Sequence, residues 1–221
     1  MTSHMHRDLN TLKDAILALG GIVEEAVERA STALIHQEVE VARSVIDDDA
    51  TVDARELAID EECLKILALH QPVAGDLRHI TASMKINNDL ERIGDLAVNV
   101  AERAVDLGTR KPPNVPLRFE RMTNAARWML RGSLNALVQS DADLAREVCE
   151  RDDEVDDLNR HHFETLIAHM QTHPTEVPVC LDYLTASLNL ERIADLATNI
   201  AEDVVFLVEA VDIRHAKLHE D

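Results

Sequence analysis

The chain has 221 residues, 46% of them hydrophobic but only 2% aromatic, and 22 Lys plus Arg stand against 42 Asp plus Glu for a formal net charge of -20. That composition supports one domain or two small ones around a core of Leu, Ile, Val and Ala. The acidity repels duplex nucleic acid and anionic membranes, and so few aromatics exclude a base-stacking platform.

Cys63, Cys149 and Cys180 are odd in number and form no CxxC pair, which argues against a disulfide framework or a zinc knuckle and suits a reducing, cytoplasmic setting. The start "MTSHMHRDLNTLKDAIL" has neither the basic opening nor the unbroken apolar run of a signal peptide. No window approaches 18 uncharged apolar residues, so no membrane insertion is expected.

Apolar residues recur at three and four spacings over nearly the whole chain, and period-two alternation is never sustained, which predicts an all-α fold. Leu9, Leu12, Ile16, Leu19, Val23 and Val27 mark a first long helix. The acidic run "IDDDATVDAREL" lies near the start of a second, which ends before Pro72. A third spans about Ala74 to Gly108, where "LGTRKPPNVP" supplies a stop and a linker. The plan then repeats: a helix from about Pro116 to Ser140, another from about Asp141 to Met170, a break at "THPTEVP", and a last helix through Leu207 or beyond. The expected domains are residues 1–108 and 116–221, joined by a linker at 109–115. Each is a three-helix bundle, with helices of roughly 30 residues reaching about 45 Å.

The halves also share a row of polar residues. Glu91, Asp95, Asn99 and Glu102 match Glu191, Asp195, Asn199 and Glu202 at one fixed offset. At about 100° per residue, Asp95, Asn99 and Glu102 fall within about 80° of Glu91, while Ile93, Ala97, Val100, Ala104 and Leu107 lie opposite. The row therefore faces away from the bundle's apolar seam. On the preceding helices "VIDDDATVDAREL" and "VCERDDEVDDLNR" add Asp49 with Asp53 and Asp153 with Asp157, each a DxxxD row able to lie beside the first.

Two readings of these acids stay open on spacing alone. One is a solvated, charged helix face. The other is a metal site: like charges at i and i+4 cost about 0.2–0.5 kcal/mol, and a cation would relieve them. An all-oxygen donor set suits Mg, Ca, Mn or Fe, with zinc also possible. His161 follows Asp157 by four, but Leu57 in the first half breaks the duplication, and it reads as an exposed surface histidine. A ferritin-like di-metal oxidase would need inward acids and ExxH elements, which are missing. No phosphate-binding glycine loop, dinucleotide fingerprint or nucleophile elbow occurs, so the chain is not read as an enzyme.

"LALHQPVAGDLRHITASMKINNDLERIGDLAVNVAERA", with "HRDLNTLKDAILALGGIVEEAVERA" before it and "LERIADLATNIAE" in the second half, resembles the signature of the PhoU family, the accessory proteins of phosphate-specific transport systems. The resemblance covers about residues 5–210 and implies two symmetry-related three-helix bundles. It also implies multinuclear iron or zinc clusters on E(D)xxxD motifs, which here are Glu91 with Asp95, Glu191 with Asp195, Asp49 with Asp53 and Asp153 with Asp157, followed by Asn99 and Asn199 on the same faces. The chain departs from the family pattern at Leu96, where a histidine is frequent, and at Ala194, where glycine is usual. The function implied is a cytoplasmic negative regulator of phosphate uptake and of the phosphate-starvation response. Its implied partners are the ATPase of the phosphate ABC transporter and the sensor histidine kinase of the regulon, with homodimer formation. A metal-binding helical protein serving another phosphate transporter, or metal homeostasis, is the alternative.

Overall fold

The computed structural model describes residues 3–108 and 110–214. Thr109, the first residue of the expected linker, and residues 1–2 and 215–221 of the two expected domains lie outside the described residues. Among the described residues there is no strand. The α-helices are α1 (Ser3–His36), α2 (Val39–His70), α3 (Gly75–Leu107), α4 (Phe119–Gln139), α5 (Ala142–Glu150), α6 (Asp152–Thr172) and α7 (Val177–Glu209), with a 3-10 turn at Pro174–Glu176 between the last two.

Leu12, Ile16, Leu19, Val23 and Val27 bury the inner face of α1, and Ile86, Leu90, Ile93, Ala97, Val100, Ala104 and Leu107 bury that of α3. Each Leu or Ile so removed from water stabilises the fold by about 1.5–3 kcal/mol. α1 and α4 end alike. Gln37 and Ser140 take positive φ of 56° and 54°, and the next residues' N–H groups, of Glu38 and Asp141, return to the carbonyls of Ala33 and Ala136 at 3.0 Å each. This left-handed stop satisfies otherwise orphaned carbonyls without glycine. Gln37 Nε2 also donates to Leu107 O and Arg110 O, at 3.1 and 2.9 Å, tying the end of α1 to the end of α3.

The expected single helix from Asp141 to Met170 is two. Asp141 caps α5 by accepting from the N–H groups of Asp143 and Leu144, both at 3.0 Å. At Arg151 the ladder tightens to i→i+3 bonds, Arg151 N to Val148 O and Glu154 N to Arg151 O, each 3.1 Å. The Arg151 guanidinium lies 4.4 Å from the ring centre of Trp128 on α4. α2 is continuous at the equivalent place, Asp48, which pairs with Arg29 at 2.8 Å.

The halves pack side by side, α1 against α4 and α3 against α7. Lys13 Nζ donates to Val138 O at 2.6 Å, Arg127 pairs with Glu28 at 2.7 Å, and Arg131 pairs with Glu24. On the other side Lys85 meets Asp203 at 2.9 Å, while Arg103 and Arg110 meet Asp182 at 3.5 and 2.9 Å. Early α3 thus meets late α7 and the reverse, so the two helices that carry the LERI segments run antiparallel across the middle of the molecule.

Candidate metal centre on the acidic helix faces

α3 and α7 present their polar rows as the periodicity predicts: Asp95, Asn99, Asp195 and Asn199 are exposed, and Glu91 and Glu191 are half-buried at the bundle edge. The antiparallel crossing brings the rows together. Arg92, Asp95, Leu96 and Asn99 line one open groove of about 490 Å³ with Arg192, Asp195, Leu196 and Asn199.

In the first half α2 lays Asp49 and Asp53 beside this row. Burial first, then Asp95, Glu56, Asp53 and Asp49, raise the Glu91 acid above its ordinary value. Asp49 is raised by burial, then by Asp53 and Asp95. Glu56 joins the group, raised by burial and by Asp60 and Asp53. Asn87, fully buried, donates from Nδ2 to Glu56 O at 3.0 Å and to its carboxylate at 3.2 Å, which holds this turn of α2 against α3.

In the second half the partners differ from the expected ones by one residue. Asp153 and Asp157 are both exposed, and Asp157 pairs with Arg160 at 2.6 Å. The carboxylates that meet Glu191 and Asp195 belong to Asp152 and Asp156. Burial, then Asp195 and Asp156, push the Asp152 acid up to about 6, against an opposing hydrogen bond from Thr198 Oγ1 at 3.4 Å. Burial, then Asp195 and Asp156, raise Glu191, and burial followed by Asp156 raises Asp195. The helix phase causes the shift. Val148 and Val155 are buried as Val45 and Val52 are, so the spatial repeat runs at 103 residues, placing Asp152 on Asp49 and Asp156 on Asp53. Matching the acidic letters at 104 turns each aspartate by about 100°. The hydrophobic residues beside the acids carried the correct register.

Ligand oxygens of Asp156, Glu191 and Asp195 all lie within 4.8 Å of one another. Three carboxylates at that separation fit a single oxygen-coordinated cation with bonds of about 2.0–2.6 Å. Burial first, and then the neighbouring carboxylates, raise Glu191 and Asp195.

Sequence reasoning also missed His162. It is fully buried at the position equivalent to Ile59, stacked on Phe119 at 4.6 Å between ring centres. Arg118 N–H donates to its Nε2 at 2.9 Å, so Nδ1 carries the proton and donates to Ser187 Oγ at 2.9 Å, which meets Asn159 Oδ1 at 2.8 Å. Burial, then His161 and Arg118, push the imidazole down to about 4, and it stays neutral. The 103-residue register was the available signal, because it puts a histidine on the apolar seam. His161 is half-buried rather than fully exposed, and its Nε2 has no hydrogen-bond partner among the described residues.

A family model, the PhoU domain, matches the chain twice, over residues 16–104 and 119–204. The chain belongs to the PhoU family. The second match opens 103 residues after the first, which is the register set by the buried valines. The phosphate-specific transport system accessory protein PhoU homolog of Pseudomonas putida is 36% identical over 219 residues, covering 99% of this chain and 86% of that protein. Its counterpart in Aquifex aeolicus is 35% identical, covering 98% of each. The crystal structure of PhoU from Pseudomonas aeruginosa superposes with a TM-score of 0.90 at 37% identity, covering 93% of this chain and 99% of the other. The phosphate transport system regulatory protein PhoU of Streptococcus pneumoniae gives 0.87 at 27% identity, covering 94% and 98%.

Proposed function

We propose that this chain is a non-enzymatic accessory protein of a phosphate-specific transport system, acting in the cytoplasm as a negative regulator of phosphate uptake and of the phosphate-starvation response. The observation that supports it most is the doubled PhoU domain, seated on both bundles, in a chain matched over nearly its whole length by accessory proteins of that system. In this reading the chain couples the ATPase of the phosphate ABC transporter to the sensor histidine kinase, and self-associates as a dimer. No helix among the described residues is long and apolar enough to cross a membrane, so contact with a membrane transporter falls to its soluble parts.

The acidic faces are proposed as cation sites, one per half. Asp156, Glu191 and Asp195, with Asp152 beside them, would hold a cation in the second; Asp49, Asp53, Glu91 and Asp95 would do so in the first. Asn99 and Asn199 would supply amide oxygens from the shared groove. A bound cation, whether iron, zinc, Mg, Mn or Ca, neutralises clustered charge and stiffens a surface on which electrostatic complementarity selects partners.

Transcription of phosphate-starvation genes in phosphate-replete cells tests the regulatory reading. Deleting the gene should make them constitutive, and the intact gene should silence them again. Normal repression in the deletion strain would refute it and turn attention to another phosphate transporter or to metal homeostasis.

A further inference from the structure

The outer edge of α2 carries an apolar seam that the bundle does not use. Leu57 is 62% and Leu64 55% exposed. With Ala50, Ala54, Glu61 and Ala68, all exposed, they recur at alternating spacings of four and three. That is the a/d pattern of a coiled-coil seam, about 27 Å long, and it lies within about 80° of arc on the side away from buried Val45, Val52, Ile59 and Ile66.

The second half supplies an internal control. At the 103-residue register the same positions are Asp153, Asp157, Arg160, Glu164, Ile167 and Gln171. The bundle therefore forms equally well with a polar edge, and folding does not account for leucine and alanine at the equivalent places on α2. Scattered exposed leucines need no explanation; a periodic seam whose duplicate is charged at its first four positions, and keeps an apolar residue only at Ile167, does.

Charge identifies what fits the seam. Glu61 sits within it, and Asp47, Asp53 and Asp60 flank it, while the adjacent Lys65 is already paired with Glu62 at 2.8 Å. A second copy of α2 aligned in parallel would bury Glu61 against Glu61. Aligned antiparallel about the seam's centre, it would bury Glu61 against Leu57 and set Asp60 beside its own counterpart. Both arrangements bury carboxylates without a cation. A helix with Lys or Arg opposite Glu61 and along its flanks satisfies each of these groups.

We propose that the α2 seam is a docking surface for a basic amphipathic helix of a partner protein, whose apolar residues cover Leu57 and Leu64 and whose cation pairs with Glu61. It stands apart from the phosphate-regulatory reading and survives if that reading fails. The probe is a stapled three-heptad peptide with Leu at a and d, one Lys opposite Glu61, and Lys or Arg at the flanks; its control is a scrambled peptide of equal charge. Fluorescence anisotropy follows binding to the full chain. The wild type should prefer the designed peptide over its scramble. Grafting the second half's residues by Ala50→Asp, Ala54→Asp and Leu57→Arg should weaken binding about tenfold or more, with the melting temperature unchanged. Glu61→Lys should act in the same direction, and the converse graft, Asp157→Ala with Arg160→Leu, should add a second binding site. Undiminished binding by the first graft, equal binding of the scramble, or no binding by the wild type would overturn the proposal. So would sedimentation showing a wild-type dimer that the first graft dissociates, because the occupant would then be a second copy.

Discussion

Replacing Asp152 with Asn should stabilise the metal-free chain, although it removes a charged group from a helix start. Asp152 begins α6 and is half-buried, and its acid is raised from 3.8 to about 6 by burial and by Asp195 and Asp156. At 1.36 kcal/mol per unit this amounts to about 3 kcal/mol of destabilisation once the group is fully ionised. The α6 N-terminus favours the anion by about 0.3–1 kcal/mol, and Asn keeps an oxygen for Thr198, so a net gain of about 1–2 kcal/mol is expected near neutral pH. The sign follows from proton binding. A folded-state acid above its unfolded value holds its proton longer, so stability falls as pH rises from 3.8 to about 6, and the penalty is complete above that. The gain from Asp152→Asn should therefore be full near pH 7.5, shrink as pH falls below about 6, and be small near pH 4. Urea denaturation in chelator at several pH values measures it, with a melting temperature about 2–4 °C higher per kcal/mol as a second readout. Adding a divalent cation should then favour the wild type through mass action on the folded state. A variant less stable than the wild type near neutral pH in chelator, or a gain independent of pH, would refute the charge-cluster reasoning.

The register is tested by a matched pair. Asp156→Asn should weaken Mn(II) binding by about tenfold or more, while Asp157→Asn, one residue on, should leave it unchanged; electron paramagnetic resonance titration reads both. His162→Ile should cost about 1–3 kcal/mol at neutral pH by stranding Arg118 N–H and removing the hydrogen bond to Ser187, which keeps Asn159. Because the buried imidazole is held near 4, wild-type stability is lost as pH falls from 6.5 toward that value, so the gap to the variant should narrow on acidification in urea melts. Lys85→Met removes the 2.9 Å partner of buried Asp203 and a cation beside buried Asp89. With Lys85 partly exposed, the expected loss is about 1–3 kcal/mol. It should be greater near pH 7.5 than near pH 5, because burial raises Asp89 to about 6 and protonation relieves it.

The helices and their duplication could be read from the chain because they depend on local order. The three-and-four spacing of Leu12, Ile16, Leu19, Val23 and Val27, or of Ile93, Ala97, Val100 and Ala104, decides which face each helix buries, and the structure buries those faces. The same arithmetic oriented Glu91, Asp95, Glu191 and Asp195. The split at Arg151 was not legible, because it accompanies Trp128 from α4 under the guanidinium, a contact between elements. The second acidic row was misaligned for a related reason: "RDDEVDD" offers aspartates in two adjacent phases, and charge alone does not choose between them.

Sequence alone thus determined an all-α chain of two like bundles and the polar faces of α3 and α7, since helical periodicity is a property of one segment at a time. Only the tertiary structure decided that Asp152 and Asp156, not Asp153 and Asp157, meet Glu191 and Asp195, and that both rows open into one groove. Those outcomes depend on how buried valines rotate each helix against its neighbours and on how α3 crosses α7, and no single helix encodes either.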